Sequence, residues 1–215
     1  MKNNVTELVC ILDRSGSMSG LESDTIGGFN ALIDKQKQED GTCLVSTVLF
    51  NTRCDVLHDR VPIDKVPPMT TNDYVPGGGT ALLDAIGGAI RHIGGIHKYA
   101  RKADVPEHTI FVITTDGMEN ASRRYGSSEV KRMIKRQQER YGWEFIFLAA
   151  NIDAVETAGH IGISACRAAR YHPDDRGMAM MFRTAEMAIG RVRRRQMLGD
   201  DWARDLEEDA KRAHG

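Results

Sequence analysis

Leu8-Val9-Cys10-Ile11-Leu12 is a short apolar run that ends at Asp13-Arg14-Ser15-Gly16-Ser17-Met18, and an amphipathic stretch opens soon after, near Leu21. A run this short and this apolar reads as a buried strand. The turn at its carboxyl end therefore carries one carboxylate and two hydroxyls at alternate positions. Hard oxygen donors of that kind suit Mg²⁺, Mn²⁺ or Ca²⁺ and suit Zn²⁺ or copper poorly.

Further along, the periodicity alternates between the two kinds of element. Leu21, Ile26, Phe29, Leu32 and Ile33 recur at helical spacing up to Gln38, with Gly27-Gly28 tolerable there only if a neighbour comes close to the backbone. Residues 43–50 form a second strand. Asn51-Thr52-Arg53 is too short for a parallel crossover, so Cys54 to His58 returns antiparallel. A loop with four prolines closes on Gly77-Gly78-Gly79. Thr80 is then expected to open a helix whose Leu82, Ile86, Ala89, Ile93 and Ile96 share a face, and Gly87-Gly88 with Gly94-Gly95 mark a notch where another element packs close. Residues 109–115 read as a buried strand ending at Asp116-Gly117. A helix capped by Ser127 or Ser128 runs through Gln138, and a strand spans Trp143 to Ala149. A short helix covers Ile152 to His160, a weak strand Ala165 to Tyr171, and a final helix, rich in core-facing methionines, Asp174 to Met197. Strands alternating with helices predict a three-layer α/β/α sandwich, Rossmann-like, on a mostly parallel sheet with one antiparallel edge strand. We assign residues 1–198 to one domain and 199–215 to a charged C-terminal tail.

Three strand-end loops then carry the chemistry: Asp13, Ser15 and Ser17 after the first strand, Thr80 after the glycine loop, and Asp116 after the fourth strand. Ligands of open α/β sheets sit at the carboxyl ends of strands where strand order reverses. If the first and fourth strands are neighbours at that reversal, the two aspartates share one crevice.

A net charge of −1 gives no overall attraction to nucleic acid or anionic membranes. The basic run Arg191 to Arg195 is followed by Asp200-Asp201 and Asp205 to Asp209 and reads as a solvated, self-neutralising helix end. Cys10, Cys43, Cys54 and Cys166 lack metal or redox spacing and read as buried thiols of a reducing compartment. With neither a secretory pattern nor a membrane-length apolar run, the cytoplasm is expected.

The three elements together resemble the von Willebrand factor A domain, whose metal-ion-dependent adhesion site is D-x-S-x-S, a distant Thr and a distant Asp. The wording LDRSGSM, GGTALLDAIG, TTDGMENAS and GWEFIFLAAN, all between Leu12 and Asn151, is similar to small single-domain bacterial and phage members. The resemblance implies that Ser15 and Ser17 coordinate Mg²⁺ (or Mn²⁺ or Ca²⁺) directly. Thr80 would contact it in the liganded state, Asp13 would act mainly through water and by hydrogen-bonding the serines, and Asp116 would bind through water or directly. It further implies a partner protein that donates an Asp or Glu to the ion, such as a chaperone-like ATPase or a stress-system protein. Neutral hydroxyls next to the ion leave its charge incompletely neutralised, so an external carboxylate is attracted.

Other classes fare worse. A dehalogenase-like phosphohydrolase, the enzymatic alternative, needs a second carboxylate where Ser15 stands. No G-x-S-x-G, phosphate loop or H-E-x-x-H occurs, and none of the seven histidines lies near the three loops in sequence. A metal-free scaffold is the remaining alternative. Asp84 reads as offsetting its helix dipole rather than binding metal, Arg14 as pointing to solvent or pairing locally, and Glu119 and Asn120, beside the crevice, as surface loop residues rather than shapers of its rim. The expectation is a non-enzymatic adaptor.

Overall fold

Side chains of the first strand, β1 (Val5–Asp13), alternate between two cores and so fix the layer structure. Leu8, Cys10 and Leu12 enter one apolar cluster, and Val9 and Ile11 enter the other. The structure, a computed structural model, describes residues 4–150 and 153–212. Four further strands follow as expected, β2 (Thr42–Phe50), β3 (Cys54–Pro62), β4 (His108–Thr115) and β5 (Glu144–Ala149), and a three-residue β6 (Ala168–Arg170) completes the sheet. Ile152, placed at the start of a helix by the sequence, lies outside the described residues.

The sheet order is β3-β2-β1-β4-β5-β6. All pairings are parallel except β2 with β3, which is antiparallel and interrupted by bulges. This is the three-layer sandwich with an antiparallel edge that the alternation of periods predicts. The chain winds outward from β1 to β2 on one side and from β4 to β5 on the other. The topological switch therefore falls between β1 and β4, which pair directly from Thr6↔His108 to Leu12↔Thr114.

One face is covered by α1 (Glu22–Gln36) and α5 (Asp175–Arg193), whose Phe29, Leu32, Met178, Met181, Phe182 and Ile189 pack on β1, β2, β4 and β5. The other carries α2 (Leu82–Tyr99), α3 (Ser127–Tyr141) and α4 (Ala154–His160). The tail forms α6 (Arg204–Arg212), which buries Leu206 beside Trp202 in the first cluster.

Two glycines are required by packing. A Cβ on Gly28 would lie 2.1 Å from the Phe182 ring, and one on Gly87 would lie 2.6 Å from Tyr125. The expected notch in α2 is thus filled at Gly87. At Gly88 and Gly95 a Cβ would meet nothing within 4 Å, and at Gly94 it would make ordinary contacts.

Several local expectations are corrected. The helix after the glycine loop starts at Leu82, with Ala81 and not Thr80 in the N-cap position, and α3 starts behind Gly126 with no serine side-chain cap. Cys54 and Cys166 are exposed, because β3 is an edge strand and Cys166 precedes β6. The basic run is not wholly solvated. Arg193 is buried and donates to the backbone carbonyls of Gln36, Glu39, Asp40 and Gly41, closing the C-terminal end of α1. Arg194 pairs with Glu39, and Arg195 with Glu107.

Candidate metal centre at the β1–β4 switch

β1 ends on Asp13, and the chain must turn there because α1 has to reach the sheet face. Asp13 Oδ1 accepts the Ser15 backbone N–H at 2.7 Å, an Asx turn that aims the following hydroxyls back over the strand end. Asp13 Oδ2 accepts the Thr115 hydroxyl at 2.6 Å from the end of β4. Both oxygens of this carboxylate are engaged by the protein.

Asp116, next along from Thr115, sits in the same crevice. Its Oδ1 accepts the Ser17 hydroxyl at 2.6 Å, and the Ser15 and Ser17 hydroxyls are 3.2 Å apart. Its Oδ2 is buried and has no hydrogen-bond partner among the described residues. Thr80 arrives from the third loop. A Cβ built on Gly117 would lie 3.4 Å from Ser17 Oγ and 3.5 Å from Thr80 Oγ1, so both hydroxyls face the same glycine. Asp13, Ser15, Ser17, Thr80 and Asp116 are therefore all gathered at the carboxyl ends of β1 and β4. Ser17 is exposed at the mouth, while the other four are buried.

The electrostatics of the crevice are one-sided. Asp13 and Asp116 are 1% and 2% exposed. Burial pushes the Asp13 carboxyl above its ordinary value, and hydrogen bonds from Thr115 and Ser15 pull the other way. Burial likewise raises Asp116, opposed by the Ser17 hydrogen bond and reinforced by the nearby charge of Asp13. Arg14, the nearest base in sequence, neither points to solvent alone nor pairs locally: it pairs with Asp55 on β3, 41 residues on. An orphaned carboxylate oxygen among hydroxyls, with no basic side chain paired to it among the described residues, is costly unless a cation is present. The donor set fits a hard divalent ion. Among the described residues no three His, Cys, Asp or Glu side chains form a ligand cluster; the donors here are two carboxylates joined by hydroxyls.

The residues that hold these loops are mostly ones the sequence reading set aside. Thr80 and Asn120 bind each other reciprocally. The Thr80 N–H donates to Asn120 Oδ1 at 2.8 Å, and the Asn120 N–H donates to the Thr80 carbonyl at 3.0 Å. Glu119 accepts from the N–H groups of Leu83, Ala121 and Ser122, and so caps α2 from a separate loop. This frees the Thr80 hydroxyl from capping. Asp84 does more than face the helix dipole, since it accepts the backbone N–H groups of Arg123, Arg124 and Tyr125. The Gly16 N–H donates to the Gly78 carbonyl, and the Gly77 N–H to the Arg14 carbonyl, which staples the glycine loop to the first. Two buried tyrosines pin the strand ends: Tyr74 donates to the Asp13 carbonyl, and Tyr171 to the Thr115 carbonyl. The one available signal was that Tyr74, a large aromatic in a proline-rich loop, must bury its ring and find a partner for its hydroxyl.

Comparison with known proteins places this geometry in a fold. No family model matches the chain, and no curated protein sequence matches it significantly. Solved structures do match. The von Willebrand factor domain of the type V pilus tip protein Mfa5 from Porphyromonas gingivalis is 12% identical with a TM-score of 0.62, over 91% of this chain and 98% of that one. Manganese-loaded TRAP protein of Plasmodium vivax is 15% identical with a TM-score of 0.56, over 84% and 73%. A von Willebrand factor type A protein from Catenulispora acidiphila is 16% identical with a TM-score of 0.54, over 87% and 42%. The chain spans less than half the length of that protein and of the mussel byssus proximal thread matrix protein 1. The chain has the von Willebrand factor A fold. Among the described residues no helix is long and apolar enough to cross a membrane.

Proposed function

We propose that the chain is a non-enzymatic, metal-dependent protein-binding module. Ser15, Ser17 and Thr80, backed by Asp13 and Asp116, hold a divalent cation, and a partner protein supplies an Asp or Glu to the same site. The observation that carries this reading is Asp116, whose second oxygen is buried, beside three hydroxyls and a second buried carboxylate, without a partner among the described residues. Mg²⁺, Mn²⁺ or Ca²⁺ would supply the positive charge that these groups lack and an open coordination position for an external carboxylate. The manganese carried by the similarly folded TRAP protein supports the choice of metal.

Each side chain has a distinct task. Asp13 spends both oxygens on orienting the Ser15 turn and Thr115, so it acts chiefly by fixing the hydroxyls and by its field. Ser17 can give its proton to Asp116 and still present oxygen lone pairs to a cation. Thr80 is held by its backbone to Asn120, which leaves its hydroxyl to the site. Burial of the aspartates keeps water from screening them, so the attraction for a cation is stronger than at an open surface.

Calorimetric titration with Mg²⁺ and with Mn²⁺, wild type against Asp13→Ala, tests the metal. Binding heat is expected in the wild type and none in the variant; equal or absent heats in both would reject the reading. Recovery of partner proteins in Mg²⁺, repeated with chelator, tests the module, since a metal-free scaffold would keep its partner in chelator.

A further inference from the structure

We propose that the groove between α2 and α3 is a second docking surface, which takes an acidic segment of a partner protein independently of the strand-end site. The groove consists of two adjoining hollows of about 830 and 460 Å³ that share Arg91 and Gly95 and run along α2 from Gly88 to Tyr99. Arg91, Lys98, Arg124 and Arg136 line it, and Glu129 is the one carboxylate among the described lining residues.

The charge lining the groove is mostly of one sign. The chain as a whole is near neutral, with a net charge of −1. Several of its other arginines are paired: Arg14 with Asp55, Arg60 with Glu7, Arg176 with Asp209 and Arg195 with Glu107. Among the described residues none of the four groove cations has a carboxylate within ion-pair distance, and the Lys98 ammonium lies instead 5.0 Å from the Tyr99 ring centre. Like charges gathered along one groove repel each other, and an anionic partner relieves that repulsion as it binds.

The floor of the groove points the same way. Gly88 and Gly95 lie on one side of α2, and each costs the helix about 1 kcal/mol relative to alanine. Gly87 is explained by Tyr125, but a Cβ on Gly88 or Gly95 would meet nothing from this chain within 4 Å. The absence of side chains there lowers the floor so that another backbone can approach. The open, elongated shape suits a chain segment rather than an enclosed small molecule. The exposed ring of Tyr99 and the side chain of Tyr141 at the rim offer apolar contact that a bare phosphate would not use.

Fluorescence anisotropy with a fluorescein-labelled oligoglutamate peptide tests this, with chelator present to silence the strand-end site. The wild type should bind at low salt. Arg91→Glu with Arg136→Glu should weaken binding at least about tenfold. Gly95→Leu, which keeps every charge and strengthens the helix, should weaken it too, while Lys35→Glu with Lys37→Glu at the C-terminal end of α1 should leave it unchanged. Circular dichroism on each variant confirms folding. Absence of wild-type binding, an equal loss with the α1 pair, or no loss with Gly95→Leu would overturn the proposal. So would tripolyphosphate binding more tightly than the peptide to the same arginines, which would make the groove a phosphate site. Because chelator is present throughout, failure here leaves the metal-centre reading standing.

Discussion

Ser17 and Asp116, 99 residues apart in the chain, are joined by a 2.6 Å hydrogen bond that spans the two central loops. The bond uses one oxygen of the aspartate and leaves the other without a partner among the described residues, so the two loops are held in register by the protein's own groups. Pre-ordering of this kind reduces what binding must spend on arranging the site.

Adding Mg²⁺ or Mn²⁺ should stabilise the protein, because a ligand that binds only the folded state shifts the unfolding equilibrium. At about a hundredfold excess over the dissociation constant the gain is about 2.7 kcal/mol, or a rise in Tm of roughly 5–10 °C for a chain of this size. Differential scanning fluorimetry with and without chelator measures it, and an unchanged Tm counts against a metal at this site.

Asp116→Asn should abolish that shift and yet make the metal-free protein more stable near neutral pH, by about 1 kcal/mol. The asparagine keeps an acceptor for Ser17 and removes a buried, uncompensated charge. The pH dependence carries a definite sign. A carboxyl whose folded pKa is raised above its ordinary 3.8 holds its proton longer in the folded state. Its contribution to stability is complete below 3.8 and is lost as pH climbs through the raised value. Urea unfolding in chelator should therefore show wild type losing ground to the variant as pH rises from acid towards neutral, and apparent Mg²⁺ affinity should climb over the same window.

Gly27 and Gly28 are adjacent in α1 and should answer oppositely to alanine. Gly27→Ala meets open space and should stabilise by about 0.5–1 kcal/mol. Gly28→Ala drives a methyl into the Phe182 ring and should cost about 1–3 kcal/mol. Chemical denaturation of the two variants distinguishes them, and equal effects would mean that α1 and α5 are not in contact there.

Arg193→Leu should destabilise by about 2–4 kcal/mol, since it removes the buried guanidinium that the carbonyls of Gln36, Glu39, Asp40 and Gly41 share as a donor. Arg191→Leu, exposed on the same turn, should change stability by less than about 0.5 kcal/mol. The same denaturation measurement compares the two.

The strands, and the placing of Asp13, Ser15, Ser17 and Asp116 at the ends of two of them, were legible because their signals are local. A continuous apolar run reads as a buried strand, and Asp13, Ser15, Ser17 and Asp116 stand on the turns that end two of them. What the sequence hid was tertiary substitution for local rules. Thr80 looked like an N-cap because capping is read from adjacent residues, whereas the cap of α2 comes from Glu119, 36 residues beyond Leu83. Arg193 looked solvated because its run is charged, yet its acceptors lie more than 150 residues away at the end of α1. Glu119, Asn120 and Tyr74 sit in loops without periodicity, so nothing in their neighbours announced which backbone groups they would meet.

The fit of Phe182 over Gly28 has a mechanical corollary. About three turns further on, Arg193 reaches into the end of the same helix, so α5 is fastened to α1 at two separated points. Sliding α5 by part of a turn would drive the ring against a neighbouring side chain and withdraw the guanidinium from its carbonyls together. Any displacement of α5 along α1 must therefore come as a single discrete step.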